Sequence, residues 1–186
     1  MQIGVIAEEK NDVEVLYALT CKLINEHSFS FKPFIAHGCS QLRRKCMVWA
    51  ENLLSRGCTH LVVLHDLDCN IENDLRAELN RYVRFVGFKG YVILIPVHEI
   101  EAWLLVDAKA LQTVFTMKRL PKLPKRPEDV PCPKEKLRDI IWRETKKHYV
   151  NTIHNKRIAG ASRISKVKTC RSFRPYPSFI DLHGKH

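Results

Sequence analysis

Four short apolar runs, each followed by a stretch with helical spacing, constrain this chain more than any other feature. They are Ile3-Gly4-Val5-Ile6-Ala7, Phe31 to Ala36, Leu61-Val62-Val63-Leu64 and Tyr91-Val92-Ile93-Leu94-Ile95-Pro96-Val97. Runs this short and this rich in β-branched residues read as buried strands. Val13, Leu16, Leu19, Leu23 and Ile24 give the first intervening helix its apolar face, with Asn11 as N-cap and Glu14 as capping-box partner. A second helix runs from the turn His37-Gly38-Cys39-Ser40 to about Arg56 and is closed by Gly57. A charged helix covers Ile71 to Phe85. A fourth runs from about Glu99 to Phe115, with Ile100, Trp103, Leu104, Ala108 and Leu111 on one face. Strand and helix in strict alternation demand a parallel sheet covered on both faces, because parallel neighbours need a crossover. The expected fold class is therefore α/β, with the second strand at an edge because Pro33 lacks a donor.

The chain divides by composition near residue 116. Residues 1–116 hold 12 Lys and Arg against 14 Asp and Glu, and residues 117–186 hold 19 against 6. Pro121, Pro124, Pro127, Pro131 and Pro133 mark a strap between them. Beyond it, Lys134 to Tyr149 reads as a short amphipathic helix and the remainder as basic and turn-rich. We expect a domain over 1–116 with a basic extension over 117–186 packed on it. Such an extension suits a polyanion, with nucleic acid leading; Lys156, Arg157, Arg163, Lys166, Lys168 and Arg171 are the candidate contacts. Phe173, Tyr176 and Phe179 read equally as base-stacking residues or as anchors to the body. Gly38-Cys39-Ser40 leading into Arg43 and Arg44 is a second, weaker phosphate site. No apolar run reaches membrane-spanning length, the first residues do not form a signal peptide, and seven scattered cysteines contain no CxxC pair. Those features predict a cytoplasmic protein with reduced thiols and no membrane partner. A P-loop and a GxGxxG are both absent, which argues against a nucleotide-binding Rossmann protein.

The acids carry the chemistry. Glu8 and Glu9 follow the first strand, Asp66 and Asp68 the third, and Glu99 and Glu101 the fourth. Side chains at i and i+2 of extended chain point the same way, so Asp66 and Asp68 can face one ion at the sheet edge where such folds place ligands. Two unpaired carboxylates there repel unless a cation lies between them. Hard oxygen donors of this kind suit Mg²⁺ or Mn²⁺, and two such ions would serve phosphodiester cleavage. Asp12 is a candidate orienting group or a plain helix-start charge. His65 and His98 read as supporting groups, and Trp49 and Trp103 as core.

These residues resemble the Toprim family, a Rossmannoid fold with a Glu after the first strand and an Asp-x-Asp after the third. Glu8 and Asp12 match the family's first motif, although Glu9 stands where Gly is usual and Asn11 where a hydroxyl is. Asp66 and Asp68 match the Asp-x-Asp. Glu99-Ile100-Glu101-Ala102-Trp103-Leu104-Leu105-Val106-Asp107 resembles the downstream Glu-x-Glu-Ala-Trp-Leu-Leu-x-Asp of OLD-type and small Toprim-like proteins of bacterial phage defence. The resemblance spans roughly residues 1–115. It implies a metal-dependent nuclease of DNA, RNA or tRNA, with Glu8, Asp66 and Asp68 as ligands or acid–base groups and Glu101 or Glu99 completing a second metal. It also implies an effector of antiviral defence beside an ATPase partner. Self-association is left open. The alternative is a non-catalytic nucleic-acid-binding or scaffold subunit whose acids hold a structural ion. A receiver-like phosphoacceptor fits less well, since His98 stands where Ser or Thr is required.

Overall fold

The computed structural model, which describes residues 1–184, is an α/β protein built on a four-stranded parallel sheet. The strands are β1 (Gln2–Ala7), β2 (Ser30–Ile35), β3 (His60–Leu64) and β4 (Gly90–Leu94), in the order β2-β1-β3-β4. β2 is an edge, as Pro33 requires. Pairing aligns the carboxyl ends: Ala7 lies beside Ile35 and Leu64, and Leu64 beside Leu94. The loops after the four strands therefore leave the sheet along one line.

Period-two alternation sends successive strand residues into two cores. Ile6, Leu61, Val63, Ile93 and Ile95 meet α2 (Cys39–Ser55) and α3 (Glu72–Val83) through Leu42, Leu53, Leu75 and Leu79. Ile3, Val5, Val62, Leu64 and Leu94 face the opposite way, onto α1 (Lys10–Thr20) and the C-terminal helices. Gly4 sits where α2 crosses β1, and a Cβ there would lie 2.9 Å from Leu53 Cδ1. Gly4→Ala should therefore cost about 1–3 kcal/mol by overpacking, read as a lower urea midpoint with an unchanged slope.

Three local expectations are corrected. α1 is capped by Glu9, not Asn11. Asp12 Oδ2 accepts the Glu9 amide at 2.9 Å while the Glu9 carboxylate returns to the Asp12 amide. Asn11 is freed to turn inward. The expected helix over 99–115 is two pieces, a 3-10 turn at Ile100–Trp103 and α4 (Ala108–Phe115). Asp107 causes the break: its side chain accepts the Lys109 amide, and a capping residue starts a new helix rather than continuing an old one. The tail is helical, not turn-rich, with α5 (Pro133–Thr145), α6 (Asn151–Ala161), α7 (Ile164–Val167) and α8 (Pro175–His183).

Residues beyond 116 share the main core instead of lying on its surface. α6 packs along α1, and α8 against β4. Leu137, Ile140, Ile158, Phe173, Tyr176 and Ile180 are all buried in the same cluster as Val5 and Trp103. Phe173, Tyr176 and Phe179 are thus anchors, and the Tyr176 hydroxyl bonds that of Thr20 on α1. Trp103 is buried as expected and donates through Nε1 to Ser172 Oγ at 2.7 Å, whereas Trp49 is only partly buried, stacked on Phe34. No helix among the described residues is long and apolar enough to cross a membrane.

Candidate metal centre

The aligned carboxyl ends gather the acids. Glu8, Glu9, Asp12, Asp66, Asp68, Glu99 and Glu101 line one cleft of about 180 Å³, with Asn11, Lys134 and Asn151 as its other lining residues. Lys134 is the single cation among them. The loops that carry the acids are tied to one another. The His37 amide donates to the Glu8 carbonyl, Leu67 to Pro96 and Asp68 to His98. His37, Asp68 and His98, one in each loop after β2, β3 and β4, have φ of 52°, 45° and 62°. Left-handed backbone at non-glycine residues is strained and clusters where a site demands it.

Glu8 is held from two sides. Its Oε1 accepts the Asp66 amide at 3.0 Å and lies 3.0 Å from His65 Nδ1. That nitrogen also lies 2.6 Å from the Asp66 carbonyl, so both neighbours are acceptors and Nδ1 carries the proton. His65 is fully buried, and burial holds its pKa below the usual imidazole value. It contacts Glu8 without itself lining the cleft.

Glu101 is 3% exposed and accepts from Asn155 Nδ2 at 2.9 Å and the Tyr149 hydroxyl at 3.2 Å. Glu99 takes a different part: its Oε2 accepts the Lys134 amide at 2.9 Å and so caps α5. Of the two, Glu101 is the one held inward beside Asp12 and Asp66.

Crowding raises the pKa of four acids of the cleft, Glu8, Asp12, Asp66 and Glu101. Burial, reinforced by the Asp68 and Glu9 charges, pushes Glu8 up to about 7 even though the Asp66 amide pulls the other way. Burial pushes Asp12 up to about 7 as well, with Glu9, Glu101 and Glu8 adding repulsion. Asp66 is raised well above the carboxylate range by burial, then by Asp12, Glu8, Glu101 and Asp68. Glu101 is raised by burial and partly restored by Asn155. Asp12, Glu8, Glu101 and Asp68 all act on Asp66. Cys39 Sγ joins Glu8 and Asp68, with ligand atoms of all three within 4.8 Å of one another. Asn11 lines the cleft and is 5% exposed, and its buried Oδ1 has no hydrogen-bond partner. A buried acceptor without a donor, beside seven carboxylates and a single lysine, is a donor set that could hold a hard cation.

The cleft contains every acid singled out from the sequence, and His98 lies in the adjoining loop. Lys134, Asn151, Tyr149 and Asn155 were not foreseen as site residues, and Asn11 and Cys39 were singled out only as a helix cap and as part of a phosphate-binding turn; all but Asn11 reach the site through tertiary contacts. The basic candidates separate. Arg163 is not available to a phosphate: its guanidinium grips Asp107 at 2.8 and 2.9 Å, and its amide donates to the same carboxylate at 3.0 Å. Arg171 pairs with Glu72 at 3.0 Å and Arg43 with Glu78, so both are committed to intramolecular ion pairs. Arg44, Lys156, Arg157, Lys166 and Lys168 are exposed, and none lines the cleft. Comparison with curated proteins and with solved structures returns no match. A family model described as a domain of unknown function, DUF4276, matches residues 8–180, from the first acid of the cleft to the last buried residue of α8. The chain belongs to the DUF4276 family.

Proposed function

We propose that this protein is a metal-dependent phosphodiesterase acting on nucleic acid, with Mg²⁺ or Mn²⁺ in the acidic cleft. The observation that carries the reading is the convergence of seven acids, from behind three parallel strands, on one cleft with a single lysine. The residues fit the cation. Glu8, Asp66 and Asp68 would hold one ion, and Asp66, Glu101 and the unpartnered Asn11 Oδ1 a second. A divalent ion bound there supplies Lewis-acid activation of water and offsets charge on the phosphoryl oxygens.

The chain supplies the rest. His65 and the Asp66 amide fix the Glu8 carboxylate, so one ligand is preorganised before any ion arrives. Tyr149 and Asn155 do the same for Glu101. Lys134, at the start of α5, brings a positive charge and a helix N-terminus to the rim, where a phosphate oxygen can be met. By its resemblance to Toprim-like defence proteins, we extend the proposal to a toxic effector restrained by an ATPase partner.

Asp68→Asn tests the reading cleanly, because Asp68 is exposed and Asn accepts its left-handed backbone. Supercoiled DNA, single-stranded DNA and total tRNA are incubated with wild type and variant in Mg²⁺, Mn²⁺ or EDTA. Cleavage by wild type that needs the ion and falls at least about 100-fold in the variant is expected. Cleavage that survives EDTA or Asp68→Asn sinks the proposal.

A further inference from the structure

A groove leaves the acidic cleft and runs over α5. Glu99, Lys134 and Asn151 line both the cleft and a neighbouring cavity of about 490 Å³, so the two adjoin. Arg138 and Tyr149 line that cavity and also a third, of about 250 Å³, against Trp142 and His148. The path has Tyr149 at the join of the two cavities and Trp142 and His148 beyond it, with Lys134, Arg138 and Lys147 along it beside Glu99, Glu135 and Asp139. Tyr149 is fixed by its hydroxyl on Glu101 while it lines the groove, so the same residue touches both site and path. Trp142 is 45% exposed, although an indole of that size usually buries its faces. It is nonetheless held, with His148 at 5.1 Å between ring centroids and the Lys146 ammonium at 5.7 Å. Residues 133–149 hold six Lys and Arg against three Asp and Glu. Arg138 pairs with Glu135 and Asp139 only at 3.6 and 3.8 Å on the exposed surface, where such pairs are weak and yield to a phosphate.

Resting on the nuclease reading of the cleft, we infer that this groove binds single-stranded nucleic acid, with bases stacked on Tyr149 and Trp142 and the backbone followed by Lys134 and Arg138. A duplex hides its base faces, whereas a single strand offers them to aromatic platforms, and a cation-lined groove follows its phosphates. The protein thus takes a strand end, loop or unpaired segment, and the scissile phosphate enters the cleft beside the first stacked base.

Binding is measured in EDTA, where no cleavage occurs, by anisotropy of fluorescein-labelled DNA and RNA 12-mers and of the matching duplexes. Single strands are expected to bind about 10-fold or more tighter than duplex, and Trp142→Ala to weaken them about 10-fold while Trp142→Phe retains most of the affinity. A preference for the RNA strand over the DNA strand supports the inference equally and identifies the sugar read by the groove. Equal affinity for duplex, no single-strand binding, or an unaffected Trp142→Ala overturns it. Circular dichroism excludes misfolding, and the exposed position of Trp142 makes that control straightforward. The two proposals fail separately. Trp142-dependent binding with no cleavage in Mg²⁺ or Mn²⁺ leaves the groove and removes the hydrolase. Duplex cleavage indifferent to Trp142→Ala leaves the hydrolase and removes the groove.

Discussion

Replacing Asp66 by Asn should make the cation-free protein more stable, not less. Asp66 stands among Glu8, Asp12, Asp68 and Glu101 in a buried setting, and each of these charges raises its pKa. Linkage fixes the sign. Carboxyls raised in the folded state hold protons that the unfolded chain has released, so native stability falls as pH climbs from about 4 through 7. The Asp66→Asn substitution removes the most crowded charge and keeps the shape. A gain of about 1–2 kcal/mol at pH 8 in EDTA is expected, roughly 2–8 °C in Tm. Wild type should recover this and more on adding Mg²⁺ or Mn²⁺, increasingly from pH 6 to pH 8 as protons cease to compete. Asp66→Asn should show little cation-induced rise. Differential scanning fluorimetry over that pH range decides it: a variant less stable than wild type at pH 8 in EDTA would mean that Asp66 is stabilising as a charge and that the cleft needs no ion.

Arg163→Ala should damage the fold far more than its surface position suggests. The arginine is half exposed, but its partner Asp107 is 1% exposed and caps α4 through the Lys109 amide. Removing the guanidinium leaves the buried carboxylate with the Lys109 and Arg163 amides alone and no counter-charge, and a fall of several degrees in Tm is expected. Arg163→Lys should fall between, because a lysine cannot make the two-pronged contact. The same clamp predicts acid sensitivity. The Arg163 guanidinium holds Asp107 down to about 2, below its ordinary 3.8, so the contribution is complete above about pH 4 and disappears as pH falls through about 2. Chemical denaturation at pH 7 and pH 2.5 should show the difference between wild type and Arg163→Ala shrinking at the lower pH. A constant difference would mean that Arg163 acts through packing alone.

Much of the site was legible because it obeys strand logic. A β-branched run that stops at an acid marks a strand end, and such ends in register along a parallel sheet bring Glu8, Asp66, Asp68 and Glu101 together. The cap of α1 was misplaced because Asn11 and Glu9 stand two residues apart and both can cap; only the Asp12 carboxylate reaching back to the Glu9 amide distinguishes them. The tail read as loop because Ile158, Val167, Phe173 and Tyr176 are separated by Lys and Arg at spacings broken by Pro175 and Pro177. Its helices form against α1 and β4, not by propensity. Tyr149 and Asn155 could not be assigned to Glu101, nor Glu72 to Arg171, since each pair meets only after the chain has folded back on itself. Basic composition identified a cationic segment but not which cations were already answered by acids.

The dispersal of the cleft along the chain has a consequence in time. Glu8 and Asp12 are synthesised well ahead of Glu101, and Glu101 stays unbuttressed until Asn155, 54 positions later, has emerged. The helix that packs on β4 comes later still. At roughly 5–20 residues per second, on the order of ten seconds separate the first acid from its last support. A nascent chain on the ribosome therefore carries the acids without the enclosure that orders them, and the emergence of the later helices acts as a clock for the centre.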